Sequence, residues 1–232
     1  PTDRMSAVFG NNQTPLTLEA NDGVYNNSFN SSWSASGINP MFLPMFPEMA
    51  DDTYATVGLD GPASTSEIAG AEDPSLVEDS GQPITPFYLS DGATFMQANT
   101  LTGASYYVLN TAENGLPDDD LRVLIMQVTT TGEVCGTINY QIFPLGEGAD
   151  QLQLTASFCG AGDFEAGIPP VSGCTDELAC NYDPEANEDN GSCVYAEDGY
   201  DCDGNCLEDI NENEICDILE IFGCTVVQAC NY

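Results

Sequence analysis

Oxygen-bearing residues recur at Asp209, Asn211, Asn213, Asp217 and Glu220, which are positions 1, 3, 5, 9 and 12 of a loop that starts at Asp209. Ile215 falls at position 7, where a backbone carbonyl would serve. This is the ligand spacing of a twelve-residue calcium loop, closed by a carboxylate that gives both oxygens to the ion. Position 6 is Glu214, where such loops ordinarily use Gly to turn, and Cys216 lies inside the segment. A second cluster, Asp183, Glu185, Asn187 and Asp189, places oxygens at alternate positions before Gly191 and Cys193. A hard cation takes six to eight oxygens, so Ca2+ is the cofactor expected at both places. A third acidic run over 197–204 could donate to either site or stay solvated. The competing expectation is an acidic linker that binds nothing.

Other chemistry is poorly served. Cys202 and Cys206 are separated by three residues rather than two, and the chain has no His, which argues against zinc. Without His or Lys, most acid–base and nucleophile pairings are missing. A pair of carboxylates could hydrolyse a glycoside, but among 38 acids such a pair arises by chance. The expectation is a protein that is not an enzyme and has no catalytic residues.

Charge and Cys content set the context. There are 38 acidic residues against Arg4 and Arg122, a formal net charge of −36. Nucleic acid and anionic membrane surfaces are thereby excluded as partners. The ten Cys suggest disulfides and an extracellular setting. No apolar run is long enough to insert directly into a membrane. The segment 173–182, GCTDELACNY, returns at 223–232 as GCTVVQACNY, with seven of ten positions identical. Such a repeat is the mark of an array, and the chain is expected to be a window on a longer polypeptide.

Composition divides the chain near residue 165. Residues 1–165 hold Trp33 and every Phe but Phe222, enough for a core, with only two Cys. Residues 166–232 hold eight Cys, 16 acids and no basic residue, and call for staples and ions instead. Three domains are expected: a β-sandwich over 1–165, a Cys-rich acidic calcium-binding repeat over 166–222, and the start of a second repeat over 223–232.

The elements of the first region read as all-β, an antiparallel β-sandwich followed by the irregular disulfide- and calcium-stabilised repeat. Apolar and polar residues alternate over 134–142 and 151–159, the pattern of half-buried strands. Residues 123–128 are apolar on both faces and predict a central strand. Shorter strands are predicted at 5–9, 16–18, 53–57, 87–89, 93–96 and 106–109, with little helix. A hairpin closed by the 144–150 loop, in symmetric register, pairs residues whose numbers sum to 294. Cys135 then faces Cys159 on the same polar face, close enough for a disulfide. Residues 40–49, PMFLPMFPEM, are apolar but broken by three Pro. They predict a loop that plugs one end of the sandwich or, alternatively, a patch for a neighbouring subunit or domain, or a slot for a small ligand.

The segments GCTDELACNYDPEANEDNGSCVY and GYDCDGNCLEDINENEICDILEIFGCT resemble the Cys-rich repeats of large secreted surface proteins of marine Bacteroidota. The stretch before the second GCT is similar to thrombospondin type 3 calcium repeats, with Asn211-Glu212-Asn213-Glu214 in place of Asp-Gly pairs. PTDRMSAVFGN, ASGINPMF, DTYATVGLDGP and the stretch from Tyr106 to Asp150 resemble a β domain recurring in the same proteins, in which further strand sequence usually precedes Pro1. The resemblance implies export, by type IX secretion, and a role in surface adhesins or extracellular filaments. It also implies a Cys174–Cys193 disulfide, leaving Cys180, Cys202, Cys206 and Cys216 with three possible pairings. Cys224 and Cys230 would find at least one partner beyond Tyr232.

The function expected is a structural or adhesive segment of a giant extracellular surface protein or filament, with a calcium-rigidified spacer. Its partners would be neighbouring domains of the same chain, further copies in a filament, or a cell-surface or glycan ligand. The alternative is an accessory carbohydrate- or ligand-binding module of a secreted enzyme, which exposed aromatics aligned on one sheet face would favour. Tyr88, Tyr106, Tyr107 and Tyr140 are the residues to place.

Overall fold

A computed structural model describes residues 2–169, 171–210 and 216–217. The chain divides into two compact units, Pro1–Pro169 and Pro170–Tyr232. The division falls a few residues beyond 165 because Ala166 and Gly167 still pair with Ala156 and Thr155 of the first unit.

The first unit is all-β. Its strands are β1 (Arg4–Gly10), β2 (Leu16–Ala20), β3 (Tyr54–Ala55), β4 (Ser75–Glu78), β5 (Phe95–Ala98), β6 (Ala104–Tyr107), β7 (Met126–Gln127), β8 (Val134–Phe143), β9 (Leu152–Cys159) and β10 (Ala166–Gly167). Strand β8 is the spine. Along one edge it pairs with β9 from Cys135↔Cys159 to Ile142↔Leu152, the register whose numbers sum to 294. Along the other edge it pairs with β2 over Val134–Thr137 and with β1 from Asn139 onward. The sheet therefore forks into an arm β1-β6-β4 and an arm β2-β5. Val8, Ala104 and Tyr106 of one arm share a core with Leu16, Leu18, Met96 and Ala98 of the other, so a single forked antiparallel sheet encloses the apolar interior.

The fork needs a join. Strands β1 and β2 run in the same direction past β8, and residues 11–15 jog between them. Asn11 shapes the jog by accepting the amides of Gln13 and Thr14 on its Oδ1, at 2.8 and 2.9 Å. Asn139 fills the gap left in the ladder. Its Nδ2 donates to the carbonyls of Phe9, Thr14 and Pro15 at 3.1, 2.9 and 3.1 Å, and its Oδ1 accepts the Thr155 hydroxyl at 2.7 Å. The alternation of 134–142 put Asn139 on the polar face, yet it is 1% exposed. Its neighbours on that face are partly open, and the broken ladder is what draws it inward.

A second buried amide ties the loops together. Asn114 donates to the carbonyls of Val57 and Glu72 at 2.7 and 3.0 Å and accepts the Glu72 amide at 2.9 Å. Gly58 passes so close that a Cβ there would overlap the Asn114 carbonyl, and its φ of +67° suits Gly in any case.

Two predicted strands are corrected. Residues 87–89 lie in a single helical turn, α1 (Thr85–Leu89). Glu78 of β4 caps that turn from outside: its Oε2 accepts the amides of Ile84 and Thr85 at 2.8 and 3.1 Å. Phe87 and Tyr88 are thereby buried in the core. Residues 123–128 are not a central strand, since only Met126 and Gln127 join a two-stranded ladder with Tyr54 and Ala55. Their neighbour, the chain from 52 to 58, is irregular, although it donates the amides of Thr56 and Gly58 to Ile125 and Leu124 at 2.9 and 2.7 Å. Val123, Ile125 and Val128 still pack on the core, which explains their apolar character.

The 40–49 segment divides its side chains. Leu43 packs against Ala35, Ile38 and Tyr54, and Met49 is buried. Met41, Phe42 and Met45 face solvent, and Phe46 stacks on exposed Phe29 with ring centroids 4.5 Å apart. Plug and patch coexist in one loop. Asp52 beneath it is buried, and its carboxylate accepts the Asn27 amide at 2.6 Å and the Asn30 side-chain amide at 2.5 Å. Loss of water raises the Asp52 pKa, and those hydrogen bonds partly offset the rise.

Candidate functional site

The second unit is built from cysteines and short polar side chains. Among its described residues the buried apolar side chains are Cys174, Ala179 and Cys216, far too few for a core. Three disulfides join Cys174 to Cys193, Cys180 to Cys202 and Cys206 to Cys216. Of the three pairings left open for Cys180, Cys202, Cys206 and Cys216, this sequential ladder is the one formed. The first unit carries the fourth bridge, Cys135–Cys159, on directly opposed residues of β8 and β9. Regular backbone pairing in the second unit is slight: β11 (Ser172–Gly173) and β12 (Glu188–Asp189) form a two-residue parallel ladder.

Side-chain oxygens replace the missing ladders. Asp176 Oδ1 accepts the Leu178 amide at 2.9 Å, Asp183 Oδ1 that of Glu185 at 3.0 Å, and Asp189 Oδ1 that of Gly191 at 3.0 Å. Asn187 Oδ1 accepts the Val171 amide at 2.8 Å. Asn181 bridges to the far side of its loop, accepting the Val194 amide and donating to the Ser192 carbonyl, both at 2.8 Å. Asp201 takes the amides of Asp203 and Asn205 at 3.0 and 2.7 Å. Each bond satisfies a backbone amide or carbonyl that no strand partner reaches.

The proposed calcium ligands can be placed against this geometry. Asp183, Asn187 and Asp189 each commit an oxygen to a backbone amide, and Glu185 is exposed. Among the described residues, no three Cys, Asp or Glu side chains gather in a way that could hold a metal ion. The 183–189 cluster is thus spread along turns rather than focused on a point. In the 209–220 loop Asp217 Oδ1 accepts the Ile210 amide at 3.1 Å, next to Cys216 of the Cys206–Cys216 bridge. Asp209 is also described, whereas Asn211, Asn213, Ile215 and Glu220 lie outside the described residues, as do Cys224, Cys230 and the whole 223–232 repeat.

Asp176 was not singled out in the sequence, and Asp201 only as a member of the third acidic run, although an Asp two residues before a turn amide is a recognised signal. Both have lowered pKa values. The Tyr195 hydroxyl, 2.7 Å from Asp176 Oδ2, is the main cause for Asp176, with the Leu178 amide second. The Asn205 side-chain and backbone amides are the main causes for Asp201. A carboxylate whose folded pKa is depressed adds stability above its unfolded value, and that stability is lost as pH falls through the folded value. The two turns should therefore loosen only below the 3.8 usual for an aspartate. An NMR titration from about pH 6 to about pH 2 should show the Leu178 and Asn205 amides moving and losing exchange protection. Unchanged protection of both amides at the acid end would refute the assignment.

The tyrosines do not form a sugar-binding platform as a group. Tyr88 and Tyr106 are core residues whose phenol pKa values rise because burial removes them from water. Tyr107 and Tyr140 are half-buried.

No protein-family profile and no solved structure matches the chain. Short stretches are similar to three curated plant proteins. The chain is 45% identical over 51 residues to ribulose bisphosphate carboxylase/oxygenase activase A of Hordeum vulgare, covering 22% of this chain and 11% of that protein. It is 48% identical over 52 residues to the activase of Oryza sativa subsp. japonica, covering 22% and 11%, and 46% identical over 39 residues to that of Arabidopsis thaliana, covering 17% and 8%. The chain thus spans about a tenth of the length of the curated relatives it matches.

Proposed function

We propose that this chain is a structural segment of a long extracellular surface protein or filament, in which a β domain is followed by a disulfide-braced spacer. The observation that carries the reading is the second unit itself. Its described residues have three bridges and almost no core, and its sequence motif starts again at residue 223, which suits a repeated brace better than a reaction centre. The four disulfides belong to an oxidising environment. No helix among the described residues is long and apolar enough to cross a membrane. The exposed Met41, Phe42 and Met45, beside Phe29, supply an apolar contact for a neighbouring domain or copy. Antibody against the first unit, applied to intact cells that carry the protein, should label the surface or attached filaments. Labelling that appears only after lysis would defeat the proposal.

Calcium belongs to this proposal through the donor spacing of Asp209, Asn211, Asn213, Asp217 and Glu220. An ion there would offset part of the repulsion among the 16 acids of residues 166–232. Binding in the range of extracellular modules is about 10⁻⁴–10⁻³ M. Chelation should then increase proteolysis within 205–222 and leave the first unit intact. Identical cleavage with millimolar calcium and with chelator would remove calcium from the proposal while leaving the braced spacer standing.

A further inference from the structure

Of the two basic residues of the chain, Arg122 lines one cavity and Arg4 pairs with Glu113 of its wall. A depression of about 440 Å³ on the first unit is lined by Ile68, Leu116, Pro117 and Leu124 on its apolar side and by Glu113, Asp118 and Arg122 on its polar side. Arg4 stands behind Glu113, with its Nη2 3.0 Å from Glu113 Oε1 and its Nη1 donating to the Ala112 carbonyl at 2.8 Å. Glu113 is therefore neutralised by a partner outside the cavity wall. Arg122 is different. Among the described residues its guanidinium has neither an ion-pair nor a hydrogen-bond partner.

An unpaired Arg is unexpected in a chain with 38 acids, since any carboxylate within reach lowers the energy by pairing. Three aspartates lie within four positions, yet among the described residues none of them pairs with it. Asp118 Oδ1 accepts the amides of Asp120 and Arg122, both at 2.9 Å, and the Asp118 amide donates to the Arg122 carbonyl at 2.9 Å. Asp119 and Asp120 do not line the cavity. The loop closes through Leu121 at φ +62°, a left-handed conformation that a branched apolar residue rarely adopts and that tends to persist where function requires it. The strained residue immediately precedes the Arg it presents.

We propose that this cavity binds a small monocarboxylate with an aliphatic body, its carboxylate on Arg122 and its alkyl part on Leu116, Leu124 and Ile68. The volume is in the range of small-ligand sites. The guanidinium supplies paired donors that suit a carboxylate, which an apolar wall alone would not select. This goes beyond the structural role proposed above and does not depend on it.

Isocaproate and its neutral amide, isocaproamide, separate the charge from the shape. The full chain, labelled with ¹⁵N, is titrated in about 0.5 M sodium chloride to screen the long-range repulsion of the net charge. Isocaproate should shift the Arg122 Nε and the Leu116 and Leu124 amides saturably, with an affinity of about millimolar. Isocaproamide and the Arg122→Gln variant should each bind at least about tenfold more weakly. Arg122 is exposed, so the variant should melt with the parent, and the amide arm tests the same point on unaltered protein. Equal affinity for acid and amide, undiminished binding by Arg122→Gln, or saturable shifts confined to other residues would each overturn the proposal.

Discussion

Reduction of the protein should unfold the Cys-rich unit and leave the β unit folded. The bridges Cys174–Cys193, Cys180–Cys202 and Cys206–Cys216 span 19, 22 and 10 residues. Closing a loop of this size restricts the unfolded chain by about 3 kcal/mol. Three such closures approach the whole stability of an ordinary small domain, at roughly 5–15 kcal/mol. Among its described residues nothing else is of that size. Its turns rest on exposed Asp and Asn oxygens, its described residues bury almost no apolar surface, and its acids repel one another. The β unit loses only Cys135–Cys159, and the β8–β9 ladder around that bridge continues to Ile142↔Leu152. Its core cluster draws on both arms of the sheet and contains no bridge. Hydrogen exchange after treatment with dithiothreitol should therefore show loss of protection at the Cys180 and Asp183 amides, which bond the carbonyls of Val194 and Cys174 at 2.7 and 2.9 Å. Amides of β1, β6 and β8 should keep theirs. Protection that survives at Cys180 and Asp183, once mass spectrometry shows the bridges cleaved, would mean that something other than disulfides holds the unit.

What the sequence disclosed follows from the range of the interactions involved. The Cys135–Cys159 register was legible because two alternating runs joined by a short loop leave few ways to pair, and the side-chain period of two fixes the face. The all-β character was legible for the same reason. The fork was not. It depends on the jog at 11–15 meeting Asn139 some 125 positions away, and no local pattern encodes that meeting. The turn at 85–89 was misread because three apolar residues fit a strand as well as a helix. What decides it is Glu78, which supplies a cap from a strand six residues upstream. Residues 123–128 carry the composition of a buried strand and are partly buried, but a ladder also needs a regular partner, and 52–58 is not one.

The acidic clusters show a different limit. An Asp or Asn that caps the amide two residues on recurs at the same alternate spacing that places oxygens around a cation. Asp183, Asn187 and Asp189 fit both chemistries on paper, and in the described structure their Oδ1 atoms serve backbone amides. Residue type and spacing thus identified oxygens that matter to the repeat without distinguishing an ion from an N–H group. Cys pairing was similarly underdetermined: four Cys admit three connectivities, and Cys180–Cys202 with Cys206–Cys216 emerges only once the loops are closed.

Replacing Asn139 should cost the β unit more than a single polar substitution normally does. Its amide serves three carbonyls at the break between β1 and β2, and its Oδ1 takes the Thr155 hydroxyl. Asn139→Leu is similar in size but can satisfy none of these groups. An unpaired buried polar group costs about 1–3 kcal/mol. Phe9, Thr14 and Thr155 are only partly buried, and water can reach some of the orphaned atoms. A net loss of about 2–4 kcal/mol is the expected balance. In a unit of this size that lowers the melting temperature by roughly 5–15 °C. Thr155→Val, which removes one hydrogen bond from the same network, should cost about 1 kcal/mol and adds little once Asn139 is gone, because coupled residues do not contribute independently. Thermal melts followed by circular dichroism on both single variants and the double variant would measure the coupling. If Asn139→Leu melts within about 2 °C of the parent, the jog at 11–15 is held by its own Asn11 turn, and the buried amide is not what joins the two arms of the sheet.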